Sequence, residues 1–422
     1  MNLLPLLLIV ISEFVVPCHG FVTRIQQQQQ QLVPIHNHPN LKQKSVGKTT
    51  RYNQGRQLIF LSAAAASGGN DKNQDNSSST SSLRTTPDDG IPISESPLRQ
   101  IRRLKVAMYE RKKLYSTGAL FALWYIFSVA YNIYSKKALN IAPNLPWTTA
   151  TLQMSLGLLT YVFPVWFFGI REKPKLSLNE LKRLVPVAIL HSLVHIGGVV
   201  SMGAGAVSFT YIVKASEPAV SAIMAAMTGS ILPPSVYLTI VPVMGGVALA
   251  SVSELSFTWK SFNYAMLSNL ASSARGIVGK NVLNKRLGQN MTANNLYAIL
   301  TMMATAFLIP VTFALEGSVL RSSFQSLKVT HQLSSYVFQT FLASLFYYLY
   351  NEMAFLCLDN VSPISHALGN TLKRIFIIVS SMIVFGNRMT MRGAIGSMIA
   401  IGGVFLYSVE KSRQSKKKDA KQ

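Results

Sequence analysis

Two adjacent basic residues, Lys373 and Arg374, stand inside a long apolar stretch that continues beyond them to Phe385. Each cation costs about 2.5–3.5 kcal/mol at the centre of a membrane helix. Such residues persist in membranes when they face a watery cavity lined by protein and meet a negative group there. Alternatively, both side chains reach out to the headgroup layer. The pair therefore predicts a buried anion pocket, with the membrane surface as the alternative.

The composition predicts a membrane protein. Of the 422 residues, 49% are hydrophobic and only 13% are charged, whereas about a quarter of an ordinary soluble domain is charged. A net charge of +24 could indicate nucleic acid, but the basic residues crowd the termini and the short loops between apolar segments. The two cysteines are Cys18 and Cys357, and the first lies in a segment that we expect to be removed. We therefore expect no nucleic-acid partner, no thiolate metal site and no cofactor.

The N-terminal region predicts two successive targeting signals. Residues 1–20 have the short apolar core and small residues of a secretory signal peptide. Residues 21–70 contain no Asp or Glu but several Lys and Arg, which is typical of an organelle transit peptide. Residues 71–113 form a polar, mixed-charge linker. This order, with Phe21 at the junction, resembles the bipartite presequences of algae with complex plastids, and it implies the innermost membrane of such a plastid.

Ten apolar segments predict an all-α polytopic membrane protein. They cover approximately 116–138, 147–170, 184–203, 205–228, 235–252, 259–282, 292–315, 333–356, 362–385 and 391–409. Ten crossings place both chain ends on one side of the membrane. That side also receives the more basic loops, as the distribution of Lys and Arg in membrane proteins requires. Which compartment this basic side faces stays open.

A faint internal repeat predicts that the ten helices form two inverted five-helix repeats, at 114–252 and 253–410, followed by a basic tail at 411–422. The motif that begins at Lys136 in the first span recurs from Lys280 in the sixth. A repeat of five spans is odd-numbered, so the second copy must lie inverted to the first. Inverted repeats place a substrate site at their interface near the midplane, as in carriers that work by alternating access.

The predicted spans hold more cations than acids. The cations are Lys136, Lys137, Lys214, Arg275, Lys280, Lys373 and Arg374. The acids are Glu217 and Glu352, which are too few to neutralise them. An anionic solute is the simplest partner. Arg offers a planar fork that matches phosphate oxygens and Lys offers a compact charge, so together they suit a phosphate group.

Four more residues are candidates for this site. Tyr350 could add a hydroxyl donor, and His195 in the third span could add an imidazole donor. Glu217 is interpreted as part of an internal ion pair, with a proton carrier as the alternative. Arg275 either lines the site or contacts headgroups near a loop end.

Two motifs resemble the plastid phosphate translocators, a family of the drug/metabolite transporter superfamily. The run from Ala206 to Pro218 is similar to the fourth-span signature of that family. Gly369-Asn370-Thr371-Leu372-Lys373-Arg374 is similar to its Gly-Asn-x-x-Lys-Arg signature. The resemblance covers about 110–410. It implies ten helices in inverted repeats and the exchange of phosphate for phosphorylated three-, five- or six-carbon compounds.

The same resemblance implies roles for individual residues. Lys214, Lys373 and Arg374 would hold the phosphate, and His195 and Tyr350 would meet the organic end. Tyr350-Asn351 stands at the family's spacing before the ninth-span motif. Asn132 with Lys136 and Lys137 matches the first-span pattern, which makes both lysines candidates of a second tier.

This chain departs from the family pattern beside the phosphate residues. The family often has Thr at the position of Gly198 and often has Lys where this chain has Ala204-Gly205. The presence of both His195 and Tyr350 favours triose phosphate and 3-phosphoglycerate as the organic substrates. Another sugar phosphate or phosphoenolpyruvate is the alternative.

Three other classes of protein fit less well. A nucleotide-sugar transporter of the same superfamily would not need the acid-free segment after the signal peptide. An anion channel could share the basic lining, but a repeat and buried adjacent cations favour a carrier. An enzyme is disfavoured because the sequence offers no cluster of metal ligands and no pairing of nucleophile and base, so no catalytic residue is predicted. The oligomeric state stays open.

Overall fold

The structure, a computed structural model, describes residues 97–283, 287–361 and 363–419. Side chains are described from residue 117 onward, except those of residues 283, 359, 363, 364, 415, 416, 418 and 419. The predicted signal peptide and transit segment lie outside these residues, as does the predicted linker up to residue 96. A helix begins at Pro97, so the segment 97–113 is helical although we predicted it as linker.

The described residues form a helical protein. The helices are α1 (Pro97–Ile141), α2 (Pro146–Gly157), a π-helical turn (Leu158–Val162), α3 (Phe163–Phe167), α4 (Leu178–Ala204), α5 (Val207–Lys214), α6 (Glu217–Met227), α7 (Pro234–Val252), α8 (Trp259–Leu283), α9 (Ala293–Val329), α10 (Leu333–Asn360), α11 (Pro363–Phe385) and α12 (Met391–Asp419). Among the described residues, 8 helical segments are long and apolar enough to cross a membrane. The predicted class, an all-α polytopic membrane protein, is therefore confirmed.

Eight of the ten predicted spans coincide with these segments, and the other two stay predictions. The fourth predicted span is divided between α5 and α6. The sixth is the single helix α8, which carries Lys260, Arg275 and Lys280 and is correspondingly less apolar. The seventh extends past the predicted end at 315 to Val329. This longer helix brings in a third buried acid, Glu316, which we had not counted among the acids of the spans.

Glu316 caps the N-terminus of α2. One carboxylate oxygen accepts from the backbone N–H of Trp147 at 2.9 Å, and the other accepts from the N–H of Thr148 at 2.8 Å and from its hydroxyl at 2.7 Å. The first N–H groups of a helix have no partner within the helix. A carboxylate at this end also suits the positive end of the helix dipole. Glu316 therefore joins α9 to α2 rather than contributing to an anion site.

Helices from the two predicted halves pack against each other reciprocally. The first span, α1, packs along α10, and the sixth, α8, packs along α4. The helices α7 and α12 pack along each other. Most of the buried aromatic side chains lie in one core, which includes Trp124, Tyr131 and Tyr347.

Glycines bring α7 and α12 into backbone contact. A methyl group added to Gly246 would lie 2.4 Å from the backbone N of Ala400, and one added to Gly396 would lie 2.6 Å from the backbone N of Ala250. Close backbone approach through small residues is the common way to associate helices in lipid, because apolar burial gives no driving force there.

We expect Gly246→Ala to force α7 and α12 apart and to destabilise the protein by about 1–3 kcal/mol, the usual cost of overpacking. The neighbouring Gly245 is a matched control, since an added methyl group there meets nothing within 4 Å. The measurement is the midpoint of thermal unfolding in detergent. Equal midpoints for Gly246→Ala and Gly245→Ala would contradict the close backbone contact of α7 and α12 at Gly246.

Candidate functional site

A cavity of about 140 Å³ lies among α1, α4, α5, α8, α9 and α10. It is lined by the cations Lys214 and Arg275 and by the imidazoles His191 and His195. Its tyrosines are Tyr131, Tyr211, Tyr297, Tyr347 and Tyr350. The cavity therefore combines positive charge with hydroxyl and imidazole groups inside the helical core.

A break in the fourth predicted span positions Lys214. The helix α5 ends at Lys214 and α6 begins at Glu217, directly before Pro218. Pro218 has no N–H, so it cannot donate to the carbonyl of Lys214 four residues earlier, and its ring crowds that carbonyl. The break also leaves a cation at the C-terminus of one helix and an acid at the N-terminus of the next, which suits both helix dipoles.

Arg374 takes the place of the missing donor. Its Nη1 donates to the carbonyl oxygen of Lys214 at 2.9 Å, and its Nη2 lies 2.6 Å from Oε2 of Glu217. The other oxygen of Glu217 accepts from the hydroxyl of Ser272 at 2.6 Å. We expected these cations to lack internal partners, but Arg374 has a carboxylate partner on another helix. Glu217 does form an ion pair, and its partner comes from α11.

Lys373, the neighbour of Arg374, contacts aromatic rings instead. Its Nζ lies 4.7 Å from the centre of the Trp124 ring and 5.5 Å from the centre of the Tyr350 ring. Contacts of this kind are worth about 0.5–2 kcal/mol. Lys214 donates from Nζ to the hydroxyl of Ser268 at 3.0 Å. Within the described part of the chain, neither lysine forms an ion pair.

The five residues to which the family resemblance gives a role in substrate binding lie in the central cavity or beside it. Lys214, His195 and Tyr350 line the cavity itself. Arg374 joins it through the carbonyl of Lys214, and Lys373 joins it through the ring of Tyr350. The Nε2 of His195 lies 3.2 Å from the carbonyl oxygen of Ala150, and its ring centre lies 4.5 Å from that of Tyr347.

Arg275 is a buried member of the cavity lining, not a contact to headgroups at a loop end. Its side chain is 8% exposed, and its Nη1 lies 2.7 Å from Nδ1 of His191. Because a guanidinium only donates, Nδ1 of His191 accepts, and the imidazole proton sits on Nε2. That nitrogen faces the hydroxyl of Thr301 at 3.2 Å. No described acid pairs with Arg275.

The two lysines of the first-span motif do not reach the cavity. Lys136 donates from Nζ to the carbonyl oxygens of Met202 at 2.8 Å and Gly205 at 3.0 Å. It therefore neutralises the C-terminal end of α4, where a cation is favourable. Lys137 is exposed, and its Nζ lies 5.6 Å from the centre of the Tyr134 ring.

The sequence analysis did not single out several residues of the lining. His191 stands four residues before His195, so the two imidazoles lie on the same face of α4. That spacing could have identified it. The tyrosines Tyr131, Tyr211, Tyr297 and Tyr347 had no such signal, because aromatic residues on a membrane helix are equally typical of an apolar core.

An ion pair stands at one end of the cavity, where Ala293 and Phe355 line it. Arg171, in the loop after α3, forms a buried ion pair with Glu352 of α10. The side-chain amide of Asn294 also donates to Glu352, at 2.5 Å. Burial is the largest single effect and lowers the pKa of Arg171, but charge and hydrogen-bond interactions with Glu352 and Tyr161 together outweigh burial, so the pKa is raised. The cluster ties the start of α9 and the second half of α10 to this loop.

A polytopic membrane protein with a central cavity lined by cations has the features of an anion carrier. The chain matches the Triose-phosphate Transporter family over residues 115–408 and belongs to that family. It is therefore a transporter and not an enzyme. The family resemblance inferred from the motifs is confirmed.

Three relatives illustrate the range of the family. The chain is 39% identical over 303 residues to "Glucose-6-phosphate/phosphate translocator 1, chloroplastic" of Arabidopsis thaliana, covering 72% of this chain and 77% of the relative. It is 36% identical over 343 residues to "Triose phosphate/phosphate translocator, non-green plastid, chloroplastic" of Brassica oleracea var. botrytis, covering 78% and 84%. It is 36% identical over 309 residues to "Phosphoenolpyruvate/phosphate translocator 1, chloroplastic" of Arabidopsis thaliana, covering 73% and 75%.

We expect Glu217→Gln to leave the buried Arg374 without its counter-ion. Breaking a buried ion pair from one side typically costs on the order of 3–5 kcal/mol. The midpoint of thermal unfolding in detergent should fall accordingly. Glu254→Gln is the matched control, since that carboxylate bonds Ser256 in its own exposed loop. A loss for Glu217→Gln no larger than that of the control would contradict a stabilising role of the pair.

Proposed function

We propose that this chain is an antiporter that exchanges inorganic phosphate for phosphorylated C3 compounds, triose phosphate or 3-phosphoglycerate, across the plastid envelope. The observation that carries the proposal is that Lys214 lines the central cavity and Lys373 contacts the ring of Tyr350 in the same lining, with no described carboxylate paired to either lysine. A phosphate group would supply the missing negative charge. Its oxygens can accept hydrogen bonds from both ammonium groups.

Arg374 would contribute in a different way from the two lysines. Its guanidinium already bonds Glu217 and the carbonyl of Lys214. It therefore fixes the position of Lys214 relative to α11, and it can offer a further N–H to the substrate, since a guanidinium has five donors. Tyr350 and His195 would meet the organic part from the lining of the same cavity.

We place this site in an alternating-access carrier with two inverted repeats, at 114–252 and 253–410. The reciprocal packing supports this proposal, since exchanging the two halves turns the contact of α1 with α10 into that of α8 with α4. The interrupted helix α5–α6 supports it as well. Discontinuous helices at the repeat interface form the substrate sites of many such carriers.

Charge explains why exchange would be favoured over one-way transport. A carrier passes through a state closed to water on both sides, and each unpaired buried ion then costs several kcal/mol. The family resemblance implies three phosphate-holding cations, but Glu217 balances one of them, Arg374. Lys214, Lys373 and the cavity-lining Arg275 remain without a carboxylate partner among the described residues. A bound phosphate carries about two negative charges and would offset most of this positive charge, so the loaded carrier would switch more readily than the empty one.

A second candidate substrate class is a larger sugar phosphate. Gly198 lines the cavity, and a methyl group added there would lie 3.5 Å from Nζ of Lys214. The missing side chain leaves room beside this lysine for a bulkier organic group. The relatives carry names for glucose-6-phosphate, triose phosphate and phosphoenolpyruvate translocators at similar identity, so they do not choose between these substrates. Measuring the uptake of each of these compounds into reconstituted liposomes would identify the preferred substrate.

The proposed location is the innermost membrane of a complex plastid. The relatives are named as chloroplastic proteins, which supports a plastid membrane. The finer assignment rests on the signal peptide and the acid-free segment 21–70 that follows it. A fluorescent fusion of residues 1–100 tests it, since delivery to the Golgi would contradict it.

We expect Lys214→Ala, Lys373→Ala and Arg374→Ala each to abolish uptake of every substrate, bare phosphate included. Loss of one charged hydrogen-bond partner costs about 1.5–3 kcal/mol, or on the order of ten- to hundredfold in affinity. Tyr350→Phe and His195→Ala should spare exchange of phosphate for phosphate and depress only uptake of the organic substrate. Lys260→Ala, at an exposed position, is the control for charge loss. Equal loss of both activities in Tyr350→Phe would show that the roles are misassigned.

We further expect labelled phosphate to enter liposomes that are preloaded with phosphate or triose phosphate, and to enter unloaded liposomes at close to the background rate. The reason is the cost of closing an empty cavity around which Lys214, Lys373 and Arg275 have no described carboxylate partner. The initial rate of uptake is the measurement. A channel would fill both kinds of liposome equally, and that outcome would rule out obligatory exchange.

A further inference from the structure

A second cavity, of about 590 Å³, lies on the outer side of the helical bundle between α1 and α11. We name it the lateral groove, lined by Ala122, Ile126, Ala130, Ile133 and Lys137 of α1 together with Phe376 of α11. These α1 residues recur every three or four positions and so form one stripe along the helix. Ile126 is 60% and Phe376 52% exposed, so the groove opens toward the surrounding lipid.

The geometry of the groove suits a hydrocarbon chain. From Ala122 to Lys137 the stripe covers roughly 22 Å of helix at about 1.5 Å per residue. One leaflet contributes about 15 Å to the hydrocarbon core of a bilayer. The helices touch near Tyr125, whose hydroxyl donates to the carbonyl of Gly369 at 2.9 Å and whose ring centre lies 5.2 Å from that of Phe376. The groove therefore has an apolar floor and is long enough to cross one leaflet.

A cation stands at one end of the groove. Lys137 is exposed, lies four residues before the end of α1, and forms no ion pair with any described residue. The exposed Trp259 begins α8 at the same end of the bundle, because Thr258 donates to the carbonyl of Ala204 while Lys136 donates to that of Gly205. Trp residues mark the boundary between membrane and water. Lys137 thus lies at the depth of lipid headgroups.

We propose that the lateral groove is a binding site for an anionic phospholipid, with one acyl chain along α1 and the phosphate group against Lys137. Charge complementarity selects this occupant, since no Asp or Glu lines the groove and its single charged lining residue is a lysine at headgroup depth. The apolar walls disfavour free phosphate as the ligand. The proposal is independent of the transported substrate, and it gives Lys137 a role separate from that of Lys136, which lies against the end of α4.

The test uses the full chain, purified in detergent and titrated with phosphatidylglycerol or phosphatidylcholine of identical acyl chains. Native mass spectrometry counts the bound lipids. We expect the wild type to prefer phosphatidylglycerol. Lys137→Gln should weaken the binding of phosphatidylglycerol about fivefold, the usual effect of one lysine near an anionic headgroup. The binding of phosphatidylcholine should be unchanged. Lys137→Arg should retain the preference.

Two further variants separate the groove from general surface charge. Lys260→Gln removes the same charge at an exposed position on the same end of the bundle and should leave the lipid preference intact. Ala122→Phe fills the far end of the groove at an exposed position and should weaken both lipids while Lys137 is unchanged. The proposal is wrong if the wild type binds the two lipids equally, or if Lys260→Gln weakens phosphatidylglycerol binding as much as Lys137→Gln does. It is also wrong if inorganic phosphate displaces the lipid, or if a second copy of the chain occupies the groove instead.

Discussion

The buried ion pair between Arg374 and Glu217 is the interaction on which the rest of the site depends. It joins α11 to the start of α6, and the same guanidinium bonds the carbonyl of Lys214 at the end of α5. The sequence makes this possible because Pro218 cannot donate to that carbonyl. A fourth helix joins through Ser272, which donates to Glu217 from α8. A buried ion pair is weak evidence for net stability, because removing two charges from water is costly. Here the ion pair fixes the positions of Lys214 and Lys373.

Adjacent cations on a helix take separate roles, and the reason is geometric. Successive residues of an α-helix are about 100° apart around the axis. Arg374 therefore faces Glu217, while Lys373 faces the rings of Trp124 and Tyr350. In the same way Lys136 faces the end of α4 and Lys137 faces outward along the lateral groove. One residue of each pair serves the helical framework, and the other forms no ion pair with any described residue.

Among the described residues, the three buried acids bond the helical framework or lie beside one end of the cavity. Glu217 balances Arg374, Glu316 completes the start of α2, and Glu352 binds Arg171 beside the cavity. None of the three pairs with Lys214, Lys373 or Arg275. The positive charge of the cavity is therefore a consequence of where the acids are used, and not of the number of cations alone.

The sequence by itself determined the class of the protein, and it predicted several of the residues that line the central cavity. Apolar segments of membrane-spanning length are local in the chain, so they can be read directly, and the motifs around Lys214 and Lys373 identified the family. It could not assign partners. Whether Arg374 meets a substrate or Glu217, and whether Arg275 meets headgroups or His191, depends on which helices pack together. Helix packing in lipid follows from close steric fit between distant segments, as at Gly246 and Ala400. Only the tertiary structure decides those contacts, because no local pattern in the sequence encodes them.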